Sequence, residues 1–362
     1  MARILAALSG GVDSAAATAL LVEQGHDVVG AYMKNWINED NITGHCPWEQ
    51  DIVDARAAAD TLGIEFRIVN LMREYQERVV DYLLEGYKRG ITPNPDVMCN
   101  REMKFGIFKD YALAEGFEKV ATGHYAQTEA HEDGSVSIRR GADSNKDQTY
   151  FLALLLQNQA QFASFPVGHL PKPEVRQVAS RFNLPNATKK DSQGICFIGE
   201  IKMSDFLSAF VDENPGPIIT HDGTVVGNHR GLHLYTLGQR RGIGVASNTF
   251  KKPFVVIEKR HANNQLVVGF DEAKTPKLYA SHCTVSQITF VNRPFEDRSI
   301  LVQPRYRTPA VPVSIAQFEN HCAKVTFHNP QRALTPGQIC AFYDGTELIG
   351  GGIFESIEHA EV

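Results

Sequence analysis

The chain has 362 residues, with 36 Lys+Arg against 42 Asp+Glu and a formal net charge of −6. The length suits two or three domains, and the acidic balance excludes a uniformly basic nucleic-acid binder while leaving room for a local basic face. No apolar run is long enough for a bilayer and no secretory-signal pattern opens the chain, so a cytoplasmic protein without membrane association is expected.

The first predicted element is a short buried strand over Arg3–Ala7. An alanine-rich helix follows from Ala15 to Glu23 and stops at Gly25. Between them lies Leu8-Ser9-Gly10-Gly11-Val12-Asp13-Ser14. Glycines at a strand-to-helix turn let the backbone approach a ligand, and the helix N-terminus offers free N–H groups. Such a loop suits pyrophosphate. It is neither a Walker A loop, since no Gly-Lys-Ser/Thr follows, nor a dinucleotide fingerprint, since G-x-G-x-x-G is absent. It resembles the PP-loop of ATP pyrophosphatases.

Strands are expected at Asp27–Met33, Ile64–Leu71 and Val120–His124, and helices at Glu49–Leu62, Tyr75–Arg89 and Phe105–Glu115. This alternation predicts an α/β domain with a parallel sheet covered on both faces, its ligands beyond the carboxyl ends of the strands. Ser9, Met33 and Gly123 fall at such ends. Two prolines in Thr92-Pro93-Asn94-Pro95-Asp96-Val97-Met98-Cys99-Asn100 predict a rigid loop rather than a strand or helix. That loop would present the Asp96 carboxylate and the Cys99 thiol, the thiol just ahead of a helix, where its pKa tends to fall.

Ser137–Gly141 reads as the edge strand of a hairpin after Glu132-Asp133-Gly134. The polar run Asp143-Ser144-Asn145-Lys146-Asp147-Gln148 precedes a helical stretch from Thr149 to Leu156, and another helix spans Val175–Phe182. In Thr188-Lys189-Lys190-Asp191-Ser192-Gln193-Gly194-Ile195-Cys196-Phe197, lysines upstream of Cys196 would favour its thiolate. The other cysteines are Cys46, Cys283, Cys322 and Cys340; no C-x-x-C pair occurs, so free thiols rather than a zinc site are expected.

The character changes at Asn214-Pro215-Gly216-Pro217, a linker. His221-Asp222-Gly223-Thr224 signals a hairpin turn. Strands at Leu266–Gly269, Cys283–Phe290, Ser299–Tyr306, Pro312–Gln317, Ala323–Phe327, Cys340–Tyr343 and Glu347–Phe354 predict a small antiparallel barrel. Arg305-Tyr306-Arg307 on one of them places cations beside a ring, a composition suited to RNA.

The PP-loop, the Asn94–Cys99 segment, Gly123-His124-Tyr125, Asn145-Lys146-Asp147-Gln148, Gly194-Ile195-Cys196-Phe197 and Leu237-Gly238-Gln239-Arg240 occur in this order. Together they resemble the tRNA-specific 2-thiouridylases, bacterial enzymes that thiolate the wobble uridine. Departures are small: Ala15 stands where a second serine is frequent, and Gln193 where threonine is. The resemblance implies a PP-loop domain over 1–204, a small central domain over 205–270 and a C-terminal tRNA-binding β-barrel over 271–362. It implies ATP, with Mg²⁺, on Ala7, Leu8, Ser9, Gly10, Gly11, Val12, Asp13 and Ser14, with Met33 and Gly123 near the adenosine. The target base would meet Asn94, Pro95 and Asp96; tRNA would meet His124, Lys146, Asp147, Gln148, Arg305, Tyr306 and Gln338. Cys99 would be the nucleophile, Cys196 the persulfide carrier and Asp96 a general acid or base. A persulfide sulfur-carrier protein is the implied donor, and the chain is expected to be a monomer.

Three rivals remain at this point. Another PP-loop ligase would need neither the paired cysteines nor the barrel. An iron–sulfur cluster on Cys99, Cys196 and Asp96 is chemically reasonable but not favoured. The third is a tRNA-binding protein with a relic loop.

Overall fold

The computed structural model describes residues 1–36, 47–190, 202–246, 252–295 and 299–359. Strand β1 (Arg3–Ala7) forms the centre of the N-terminal sheet, with Ile4 to Ala7 all buried. Strands β2 (Asp27–Lys34) and β3 (Phe66–Asn70) add in parallel on one side. Strand β4 (Lys119–Ala121) adds in parallel on the other. The chain then leaves as a hairpin, β5 (Ala126–Ala130) and β6 (Val136–Arg140), and returns as β7 (Ala163–Ser164) beside β4. The order β3-β2-β1-β4-β7 puts the switch point between β1 and β4, where open parallel sheets form their ligand crevice.

Alternation along β1 divides the core into two layers. Leu5 and Ala7 face the helical segments 72–88 and 95–114. On the other face, the helix Val12–Glu23 buries Ala15, Ala16, Ala17 and Ala19 against the helices Pro47–Leu62 and Lys172–Arg181. Small side chains on that helix allow the close approach.

The segment expected to be a rigid loop is instead the start of a helix. Asn94 is the N-cap: its Oδ1 accepts from Val97 N at 3.2 Å, and Pro95 takes the first helical position. Proline is tolerated there because its missing N–H would have had no helical partner. The helix runs on through Cys99–Ile107, wound as a π-helix and kinked at Gly106 (φ −103, ψ −105), to Phe108–Ala114. Cys99 therefore lies inside a helix, fully buried, rather than ahead of one. The stretch from Thr149 is helical only to Leu152.

The central domain is a small sheet of β8 (Gly216–Thr220), β9 (Val225–His229), β10 (Phe254–Arg260) and β11 (Gln265–Phe270), ordered β10-β11-β8-β9. The turn at 221–224 joins β8 to β9 as expected. Strands β12 (Tyr279–Phe290), β13 (Leu301–Gln303), β14 (Val311–Glu319), β15 (Cys322–Arg332), β16 (Ile339–Asp344) and β17 (Glu347–His359) close into an antiparallel barrel through the β12–β17 pairing. The strand expected to reach Tyr306 stops at Gln303, so Arg305, Tyr306 and Arg307 sit in a turn.

The barrel is not a detached appendage. Glu347 and Leu348 of β17 pair with Arg139 and Ile138 of β6, so the hairpin extends the barrel sheet and β6 is interior, not an edge. One hydrophobic core runs from Leu5 and Phe105 through Tyr150 and Leu152 to Ile339, Tyr343 and Leu348.

Candidate active site

The PP-loop is a tight turn closed by its own hydroxyls. Ser14 Oγ donates to Gly11 O at 3.1 Å, lies 3.1 Å from Ser9 Oγ and accepts from Ser9 N at 3.2 Å. Gly10 has φ +77, and a Cβ there would lie 2.5 Å from Asp51 O. Only glycine fits this position. Ala15 N donates the first helical bond, to Gly11 O, so the N–H groups of Val12, Asp13 and Ser14 precede it and can serve an anion.

Four side chains from far along the chain hold this loop. Lys172 Nζ pairs with both oxygens of Asp13, at 2.7 and 2.9 Å, and Tyr125 Oη donates to Asp13 Oδ1 at 2.8 Å. Asn186 Nδ2 donates to Gly10 O at 3.1 Å. Lys189 Nζ reaches Gly10 O at 3.3 Å while pairing with Asp51 and Asp54. Burial works against the Lys189 charge, but the hydrogen bonds to Asp54 and Asp51 prevail and hold its pKa above the usual lysine value. Lys189, expected to favour the Cys196 thiolate, is thus tied to the PP-loop. Cys196 itself lies outside the described residues.

Gly123, two residues beyond β4, lies directly against the helix N-terminus. A Cβ there would lie 2.6 Å from Ser14 N and 2.7 Å from Asp13 C. Met33 is the last residue but one of β2, buried, beyond the Leu8 N to Ala31 O bond of 2.8 Å that carries the loop off the sheet. PP-loop, Met33, Gly123 and Asp13 therefore gather at the switch-point edge.

Asn94, Pro95 and Asp96 line a cavity of about 370 Å³ where the three domains meet. Its other walls include Ser204 at the junction of the first two domains, His233 and Gln239 of the central domain, and Gln338 of the barrel. Gln338 Nε2 donates to Thr92 O at 2.7 Å, fixing one wall to another. Asp96 and Cys99 are three apart on one helix, which places them on the same face. A volume of this size accommodates a nucleobase.

Most of the residues expected to meet tRNA have polar groups already engaged within the fold. Arg305 Nη2 donates to Leu237 O, Ala333 O and Thr335 Oγ1 at 2.8–3.0 Å, riveting the Leu237–Arg240 loop to the barrel. Tyr306 packs on Phe151, with ring centroids 4.4 Å apart. Asp147 pairs with Arg140 and accepts from Gly141 N and Thr149 Oγ1. Gln148 Oε1 accepts from Tyr125 N at 3.0 Å. His124 is buried, 2.7 Å from Thr122 Oγ1, and burial reinforced by Lys104 holds its pKa well below 6.5. It is a neutral core imidazole here. Burial likewise pushes Cys283 up to about 12 and Cys340 well above the usual thiol range, so neither is a reactive thiol. Among the described residues no group of three or more His, Cys, Asp and Glu side chains converges as a metal site.

Lys172, Asn186 and Tyr125 were not predicted as partners of the loop. Tyr125 had a local signal in Gly123-His124-Tyr125; Lys172, after Pro171, had none.

Comparison with known proteins agrees with this architecture. Family models match in series: the tRNA methyl transferase HUP domain over residues 2–200, the tRNA methyl transferase PRC-barrel domain over 204–270 and the aminomethyltransferase beta-barrel domain over 280–354. The tRNA-specific 2-thiouridylase MnmA of Akkermansia muciniphila is 56% identical over 358 residues, covering 99% of this chain and 100% of that one. The protein of the same name from Enterococcus faecalis is 45% identical, covering 98% and 95%. Among solved structures, a 4-thiouridine synthetase–RNA complex with bound ATP aligns over 55% of this chain and 46% of that one, at 17% identity and a TM-score of 0.38.

Proposed function

The chain belongs to the tRNA-specific 2-thiouridylase family, and from that premise we propose that it replaces the C2 oxygen of the tRNA wobble uridine with sulfur at the expense of ATP. The observation that carries this reading is the cavity at the domain junction. It is of nucleobase size and lined by Asn94, Pro95 and Asp96, with Cys99 one helical turn from Asp96.

The PP-loop fits the pyrophosphate half of ATP. Its glycines leave the backbone bare, and its helix N-terminus supplies N–H donors. Lys172, steered by Asp13 and Tyr125, would add a fixed cation beside the phosphates, which would arrive with Mg²⁺. Met33 and Gly123 would border the adenosine. Asn94 and Pro95 would seat the uracil, and Asp96 would move its proton.

A uridine C2 carbonyl is a poor electrophile because oxide is a poor leaving group. Attack of the C2 oxygen on the α-phosphorus expels pyrophosphate and makes that oxygen part of a good leaving group. The terminal sulfur of a Cys196 persulfide then attacks C2 and expels AMP. The Cys99 thiolate attacks Cys196 Sγ, which leaves sulfur on the base and forms a Cys99–Cys196 disulfide. The persulfide would come from a sulfur-carrier protein and the enzyme would act as a monomer. Lys146 would contact tRNA directly, as would Gln338 beside its bond to Thr92 O. Arg305, Tyr306, His124, Asp147 and Gln148, engaged inside the fold, would position the loops that do.

Incubation with bulk tRNA, ATP and a persulfide donor, followed by nucleoside mass analysis, tests the proposal. It predicts thiouridine that depends on both ATP and donor; oxygen-containing uridine alone would refute it.

A further inference from the structure

The same domain junction holds a second cavity, of about 260 Å³. The two are stitched together: Thr92, lining the first, donates its N–H to the carbonyl of Pro336, lining the second, at 3.0 Å. The second cavity is cationic. Lys259, Lys277, His261 and His359 line it, with Glu258 as the one carboxylate among the described lining residues. Both oxygens of Glu258 are already taken, Oε1 by Lys277 and Oε2 by Arg260 at 3.0 Å.

Lys259 Nζ and His359 Nδ1 are buried there with no hydrogen-bond partner among the described residues. A buried ammonium without a counter-charge is costly. Burial has accordingly pushed Lys259 down to about 8, and burial followed by Lys259 lowers His261. The His261 ring lies on Gly90, where a Cβ would come within 2.2 Å of Nε2, so the catalytic domain closes one wall. A buried ammonium without a hydrogen-bond partner and surplus positive charge on the walls of a half-open cavity together describe a site suited to an anion.

We propose that this cavity binds a phosphate group through Lys259, Lys277 and His359, and that the group is a backbone phosphate of the RNA whose base enters the adjoining cavity. The second half of this proposal rests on the thiolase reading; the first does not. A free phosphate ion has the same chemistry, and the experiment separates the two sources.

Inorganic phosphate is titrated calorimetrically into the full-length protein, with chloride holding ionic strength constant, for wild type, Lys259→Met and Lys259→Arg. Binding is expected in wild type, weakened at least tenfold in Lys259→Met and largely kept in Lys259→Arg. Melting curves establish that the Met variant is folded. In the second arm, tRNA affinity is measured against salt. Lys259→Met should lower the log–log slope by about 0.7 to 0.9, the loss of one phosphate contact. Loss of phosphate binding with an unchanged tRNA slope would assign the site to free phosphate and overturn the RNA half. No phosphate binding by wild type, or equal binding by Lys259→Met, would overturn the site. Thiouridine formation by wild type, run in parallel, fails independently if the thiolase reading is wrong.

Discussion

Asp13 is clamped by Lys172 and Tyr125, so its removal has two separable effects. Lys172 and Tyr125 would lose their bonds to Asp13, and Asp13→Ala should cost on the order of 1 to 3 kcal/mol, less than a fully buried pair because the Asp13 side chain is 30% exposed. The double variant Asp13→Ala/Lys172→Met should recover most of that stability in denaturant melts. It should not recover adenylation, measured as AMP transferred to tRNA, because the cation beside the loop is gone. Recovery of activity by the double variant would show the pair to be structural only. Lys259 gives a second prediction at this scale. Its folded pKa of about 8 lies below the ordinary 10.5, so the unfolded chain binds the extra proton between those values. Stability should therefore rise with pH from about 8 to 10.5 and bear the full penalty below 8. Lys259→Met should be more stable at pH 7 by on the order of 1 to 3 kcal/mol and lack that slope. Equal stability of the variant and wild type across that range would mean that Lys259 finds a partner in solution.

The helix beginning at Pro95 joins the base cavity to Cys99. Asn94→Ala removes its cap and should destabilise by about 1 kcal/mol, with a larger loss of tRNA thiolation because the cavity wall shifts too. Cys99 is fully buried at the head of a π-helical stretch, and such stretches are often found where function needs adjustment. In the free protein, iodoacetamide followed by peptide mapping should label half-buried Cys322 well before Cys99. With ATP and tRNA bound, Cys99 should become labelled. Prompt labelling in the free protein would contradict this. At this scale the sequence was legible where periodicity spoke: the parallel strands, the alanine helix and most barrel strands lie near where alternation and turn residues place them, although Leu266–Gly269, expected in the barrel, belongs to the central sheet as part of β11. It misled at Thr92–Asn100, because two prolines read as a loop while Pro95 in fact occupies the one helical position that tolerates it. The turn at Arg305 was equally hidden, since its cause is three distant acceptors that pull the guanidinium inward.

Across the whole molecule, hairpin β5–β6 completes the barrel sheet and a single core spans the parallel sheet and the barrel. Scanning calorimetry should show the N-terminal and barrel regions melting together, and a fragment ending near residue 204 should fail to fold stably alone. Two separate transitions for those regions would contradict the shared core. The PP-loop was legible because its chemistry is local to a few residues. Its clamps were not: Lys172 lies 159 positions from Asp13, and only the tertiary fold brings them together. The domain-junction cavity was half legible, through Asn94–Asp96; its walls from the central domain and Gln338 depend on how three units pack. The cationic cavity beside it had no sequence signal, since its lysines and histidines are scattered over two strands and two loops.

In the proposed reaction, activation precedes sulfur transfer and needs no thiol. That order is tested most directly by incubating Cys196→Ser protein with tRNA and ATP labelled on the α-phosphate. A serine hydroxyl cannot carry a persulfide, so label should accumulate on tRNA as bound AMP while no thiouridine forms. Thiouridine at the wild-type rate, or no label on tRNA from a folded variant that binds tRNA normally, would contradict the account.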